Sequence, residues 1–176
     1  LKETIDCALS LKILKPSSLK RINVDTTVQA KHIRYPTDAR LYDRARERLV
    51  KQAKKDQIDL RQNYNRVSKQ TMRRQSGYAK AQQFKRARRE TRKLKTMLGR
   101  VVRDVERKAP RPTQKMSSLL TLAQRLLEQK KDSSHKLYSI HEPQVECLAK
   151  GKPHRPYEFG CKASVSTTAR DNWVVG

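Results

Sequence analysis

The sequence predicts an α+β chain, mostly helical, in which a large basic all-helical block follows the first strand. Three observations predict it. Residues 22, 24, 26 and 28 are apolar or β-branched and alternate with polar 21, 23, 25 and 27, the period of a strand with one face buried. Phe84, Ala87, Thr91, Leu94, Leu98, Val101, Val102 and Val105 recur every three or four residues, which makes one apolar stripe on a helix. Tyr157, Phe159, Cys161, Ala163, Val165 and Thr167 then alternate with Glu158, Gly160, Lys162, Ser164 and Ser166, and the strand period returns.

Each element has its own signals. Ile5, Ala8, Leu9, Leu11 and Leu14 keep helical spacing until Pro16-Ser17-Ser18 ends the segment. The first strand follows, with Asp25 on its polar side. Thr37 suits an N-cap, its hydroxyl accepting an orphan first-turn amide. Asp38 beside it supports the helix dipole. Leu41, Tyr42, Ala45, Leu49 and Ala53 continue that helix on one face, with a break near Asp56. More helix is expected from about Leu60, weakened at Ser76-Gly77, and the strongest helix spans 79–108. Pro110 and Pro112 stop it. Thr113 caps a last helix in which Met116, Leu119, Leu120, Ala123, Leu126 and Leu127 share a face. After the strand ending near Thr167, Ala169–Asn172 reads as a turn, and Trp173–Val175 as an antiparallel partner. Three segments result: 1–36 with the first strand, 37–132 as the helical basic insertion, and 133–176 with the later strands. The apolar run meeting the last residue suggests a fold cut short, so the chain reads as a central fragment.

Charge bounds the function. Forty-two Lys and Arg stand against 17 Asp and Glu, a net charge of +25. Such an excess repels itself unless a polyanion neutralises it. Between Arg40 and Arg111 lie 25 basic and 7 acidic residues, so that block holds +18 of the total. No run reaches the roughly 18 apolar residues of a spanning helix, and Leu1–Leu14 is too interrupted by charge for a signal peptide. Cys7, Cys147 and Cys161 are odd in number and widely spaced, which fits a reducing, cytoplasmic compartment.

The candidate DNA-binding residues are Arg73, Arg74, Lys85, Arg86, Arg88, Arg89, Arg92 and Lys93, opposite the apolar stripe. Each cation placed on a phosphate releases a condensed counterion, so this face suits a nucleic-acid backbone. Asp25, a carboxylate in mid-strand, is the candidate metal ligand, since such groups hold hard divalent ions. His141, Cys147, His154 and Cys161 lack the close pair that a zinc site needs. There is no Gly-rich phosphate loop and no nucleophile elbow.

Ile22-Asn23-Val24-Asp25-Thr26-Thr27-Val28-Gln29, Tyr35-Pro36-Thr37-Asp38-Ala39-Arg40-Leu41-Tyr42 and Pro156-Tyr157-Glu158-Phe159-Gly160 resemble DDE-type transposases of bacterial insertion sequences, in the group conventionally numbered five. So do Phe84-Lys85-Arg86-Ala87-Arg88-Arg89 and Val145-Glu146-Cys147. The resemblance implies an RNase H-like core, present here only in its first strands, with the helical insertion after the first. It implies that Asp25 is the first of three catalytic carboxylates holding two Mg²⁺ (or Mn²⁺) ions. The second Asp and the Glu are absent, so the fragment is expected to be inactive alone. Glu158 and Lys162 belong to the resembling motif and would line a cleft near Asp25 if their strand presents the same face. The implied partners are DNA, as transposon ends and target, and further copies of the chain in the full-length enzyme, on the bacterial nucleoid. The competing reading is a non-catalytic basic nucleic-acid-binding structural protein.

Overall fold

The computed structural model describes residues 1–130, 132–152 and 154–176. It is α+β. In order come α1 (Lys2–Ser10), a 3₁₀ turn (Pro16–Lys20), β1 (Ile22–Ala30), α2 (Asp38–Lys55), α3 (Asn65–Lys80), α4 (Phe84–Lys108), α5 (Gln114–Glu128), β2 (Glu146–Lys152) and β3 (Arg155–Thr168). The chain divides into two compact units: Leu1–His32 with Cys147–Gly176, and Ile33–Glu146.

The helical unit is built by the stripes the sequence displays. Thr37 caps α2 and Thr113 caps α5, each accepting from the amide three residues on (Arg40 at 3.4 Å, Met116 at 3.3 Å). Leu49 and Ala53 of α2, Leu98 and Val105 of α4, and Met116 and Leu126 of α5 are all fully buried in one core. Leu137 and Ile140 join that core, so the stretch after α5 packs with the helices. Arg46 lies in phase with Tyr42 and Leu49 and is itself only 1% exposed. Its guanidinium is satisfied by Asp43 at 2.9 Å, the Asn63 carbonyl at 2.9 Å and the Asn65 side chain at 2.8 Å. That ties α2 to the start of α3, where Tyr64 takes a left-handed conformation with φ 57°.

Two helix limits differ from expectation. α3 starts at Asn65 and runs unbroken through Ser76-Gly77, ending at Lys80. α4 begins only at Phe84, and Phe84 is 59% exposed instead of closing the apolar stripe. The reason is the turn at 81–83. Gln82 adopts φ 56° and the Gln83 amide donates to the Tyr78 carbonyl at 2.8 Å, which folds α4 back along α3. α3 supplies little apolar surface, and its buried residues are Ser68 and Thr71.

The other unit is a three-stranded antiparallel sheet with order β1-β3-β2. β1 and β3 pair in register from Ile22 opposite Thr168 to Ala30 opposite Gly160. Gly160 is required there, because a Cβ would fall 2.2 Å from the Gln29 carbonyl oxygen. The chain turns through Asn172 (φ 54°), and Thr167 bridges Val174 antiparallel. β2 had no expectation of its own in the sequence. The first strand was expected to be half-buried, and it is not: every β1 residue except Val28 is exposed. Its cross-strand partners on the apolar side are small and polar, Ser166 for Val24 and Ser164 for Thr26, too short to cover it. Alternation specified the conformation and left the covering layer unspecified. The α+β class is as expected, and the partial RNase H-like core that the resemblance implied is not confirmed by these three strands.

Candidate nucleic-acid interface

The candidate interface lies within the helical unit, on α3 and α4. From Asn65 to Arg103 the chain holds 14 Lys and Arg and a single acid, Glu90. Arg66, Lys69, Arg73 and Lys80 are spaced by three, four and seven residues, so α3 presents them on one face, and all are exposed. On α4, Lys85, Arg89 and Arg92, and then Arg100, Arg103 and Arg107, recur at three- and four-residue steps, with Thr96 between the two groups, on the face opposite Leu94, Leu98 and Val105, and all six cations are exposed. From Lys85 to Arg103 this row extends about 27 Å at 1.5 Å per residue.

The eight residues named from the sequence, Arg73, Arg74, Lys85, Arg86, Arg88, Arg89, Arg92 and Lys93, are all exposed. They are not equally available. Arg86 donates to the Gln83 side chain at 3.0 Å and lies over the Tyr78 ring at 5.8 Å. Lys93 is bound to Glu90 at 2.6 Å. Sequence reasoning missed Arg66, Lys69, Lys80, Arg100, Arg103 and Arg107. Their helical spacing is the signal that marks them, and they lie outside the dense run from Lys85 to Lys93.

Glu90 is turned inward, 5% exposed, and its second carboxylate oxygen is buried without a partner. Beyond its pair with Lys93, the one acid in this stretch therefore presents little negative charge to the cationic surface. Three cations close on a shallow groove of about 370 Å³, where Arg88, Arg92 and Lys95 face Asp38 and Tyr42 at the start of α2. Tyr42 has its phenol pKa raised by burial first and by the Asp38 charge second.

At the end of α4, Asp104 organises a second cluster. It accepts from the Arg61 amide at 2.7 Å and pairs with Arg107 at 3.3 Å and Lys108 at 3.6 Å. Burial works to raise its pKa, but the Arg61 amide, Lys108 and Arg107 outweigh it and hold the carboxyl below its ordinary range.

The carboxylate named from the sequence lies elsewhere, in the sheet unit. Asp25 is exposed and pairs with Val165, while Lys162 pairs with Val28. Side chains alternate along a strand, so Lys162 and Glu158 stand on the face away from Asp25, and the three are not brought together. Among the described residues no group of three or more His, Cys, Asp or Glu side chains is arranged to hold a metal ion. Asp25 is a single carboxylate, and a pair of divalent ions needs several oxygen ligands. Of the residues weighed for zinc, His141 belongs to the helical unit, bonded to Ser139 Oγ at 3.0 Å, and Cys147, His154 and Cys161 belong to the sheet unit. All three cysteines are free thiols.

Comparison with known proteins gives one informative match. Over 84 residues the chain is 50% identical to an uncharacterized protein, ORF8 in the nfe locus of Rhizobium meliloti, a match covering 48% of this chain and 41% of that protein. The chain thus spans less than half the length of the curated relative it matches. No protein-family model and no solved structure matches it. The resemblance to DDE transposases is corrected accordingly: no family model supports it, and the relative that does match carries no transposase name. Asp25 keeps no assigned role. Among the described residues no helix is long and apolar enough to cross a membrane.

Proposed function

We propose that the chain is a basic nucleic-acid-binding protein that holds duplex DNA by its phosphate backbone through the outward faces of α3 and α4. The observation that carries the reading is the sign imbalance of those faces: 14 cations from Asn65 to Arg103, and the single acid there, Glu90, turned inward. A helix face that serves only solubility mixes both signs, and this one does not. The binding is electrostatic and tolerant of sequence, with each phosphate contact releasing a condensed counterion. A location on DNA in the cytoplasm belongs to the same reading.

The test is the salt dependence of duplex binding by the 176-residue chain. With six or more phosphate contacts, affinity should fall by roughly 10³-fold between 50 and 200 mM salt, on a log–log slope near −5. Titration of a fluorescent duplex by anisotropy measures both. An affinity that stays flat over that range removes the reading. Tighter binding to a single-stranded RNA of equal length, at the same salt, would redirect it to RNA.

A further inference from the structure

The strongest unassigned feature is a concavity of about 420 Å³ at the junction of the loop before α3 with the last turns of α4. Arg61, Tyr64, Arg100, Arg103, Asp104 and Arg107 line it. Arg100, Arg103 and Arg107 arrive from one face of α4 at three- and four-residue steps, and Arg61 comes from the loop opposite. The loop is held in place. Its Arg61 amide donates to Asp104 at 2.7 Å, the Asp59 carbonyl accepts from Lys108, and Tyr64 Oη lies 3.5 Å from Arg100.

The charges in this concavity do not cancel. Four guanidinium groups face one carboxylate, an excess of three positive charges. Asp104 is already engaged by the Arg61 amide, Arg107 and Lys108. Arg61, Arg100 and Arg103 form no ion pair among the described residues. Arg103 Nη1 lies 3.3 Å from where a Cβ on Gly99 would stand, so the absent side chain leaves room for this guanidinium against the helix. Guanidinium groups gathered without counter-charges repel one another, and a polyvalent anion offsets that. Their planar forks match the oxygens of a phosphate, which accepts two parallel hydrogen bonds from each.

We infer that this concavity is a phosphate-binding site, formed by Arg61, Arg100, Arg103 and Arg107 and held in shape by Asp104. Its ligand chemistry is a phosphate dianion or diester. The source favoured here is a backbone phosphate of the bound duplex, which rests on the function proposed above, whereas the site itself does not. On that basis the concavity anchors one phosphate firmly while the open faces of α3 and α4 add diffuse attraction.

The experiment compares two variants of the full chain that each lose two charges from exposed positions of α4: Arg100→Gln/Arg103→Gln in the site, and Lys85→Gln/Arg89→Gln outside it. Duplex DNA at 100 mM salt and inorganic pyrophosphate are the two probes, measured by anisotropy and by calorimetry. The site variant should lose about tenfold or more in DNA affinity, and the outside variant about threefold, because forked contacts exceed diffuse ones. Pyrophosphate should bind the parent and the outside variant but not the site variant. Arg100→Lys/Arg103→Lys, which keeps the charge and removes the forks, should lose several-fold and guards against a folding defect. If pyrophosphate binding is lost selectively while the parent does not bind DNA, the site stands with a free phosphoanion as its ligand, and the proposed function fails. If both Gln variants behave alike with both probes, the site is overturned, and DNA binding by the open faces survives.

Discussion

The two units of this chain carry equally regular sequence patterns and end in opposite states of burial. In the helical unit the stripe of α4 is closed over: Leu98 and Val105 are 0% exposed. In the sheet unit the alternation of β1 is as clean, yet Ile22 is 48% and Val24 63% exposed. The difference teaches that periodicity reports the local conformation of a segment, whereas burial depends on what other segments lay across it. Four helices provide mutual cover through interlocking stripes. The sheet's partners opposite Val24 and Thr26 are serines, and cover from serine is slight. Stability in this molecule should therefore be concentrated in the helical unit.

The largest effect follows directly. Leu98→Ala removes a fully buried side chain from the centre of the helical core and should cost about 3 kcal/mol, as transfer and cavity terms add. Denaturant unfolding followed by helical circular dichroism measures it, since α2 to α5 all lie in that unit. A cost under about 1 kcal/mol would mean that the core relaxes around the loss and that the contrast between the units is weaker than their exposures suggest.

The helical half was the more legible one, for a physical reason. A helix closes its interior hydrogen bonds locally and leaves its end groups to caps and breakers, so Thr37, Pro110 and Thr113 bound α2, α4 and α5 from local chemistry alone. The gap between α3 and α4 was missed because Gln82 at φ 56° carries no glycine-like signal, and nothing local marks where a helical hairpin folds. Arg46 is one of the 25 basic residues of the block from Arg40 to Arg111, and it is buried. Its phase with Tyr42 and Leu49 was visible, but its partners Asn63 and Asn65 lie far along the chain. The same limit applied to the interface. The dense run from Lys85 to Lys93 was readable, whereas Arg61 joins Arg100, Arg103 and Arg107 only through the fold. Asp25 drew attention as an acid in a strand, and register alone puts Lys162 and Glu158 on the other face.

An intermediate effect tests how the two ends of α4 differ. Asp104 is the acid that holds the loop before α3, and its carboxyl titrates below the ordinary carboxylate range because the Arg61 amide, Lys108 and Arg107 outweigh its burial. A depressed folded pKa contributes stability that is complete above the unfolded value, near 4, and is lost as pH falls through the folded value. Asp104→Asn should therefore cost about 1 kcal/mol at pH 7, the amide oxygen retaining the Arg61 contact. That cost should shrink below about pH 4, as the parent's own carboxyl takes up its proton. Helical unfolding at pH 7 and pH 3 gives the two differences. Equal costs at both would show that the carboxylate charge contributes nothing.

The smallest effect falls in the sheet and sharpens the contrast most. Val24 lies in the middle of β1 and is 63% exposed, opposite Ser166, so Val24→Ala removes two methyl groups that water already reaches. The remaining cost is strand propensity, within about 0.5 kcal/mol. The chain carries one tryptophan, Trp173, whose amide donates to Thr168 Oγ1 at 3.0 Å, and Thr168 pairs with Ile22. Its fluorescence reports the sheet unit separately from the helical signal. A loss of about 2 kcal/mol by that probe would equal the effect of a buried aliphatic deletion. It would show that a further layer covers β1 in solution, and would end the contrast between a covered unit and an open one.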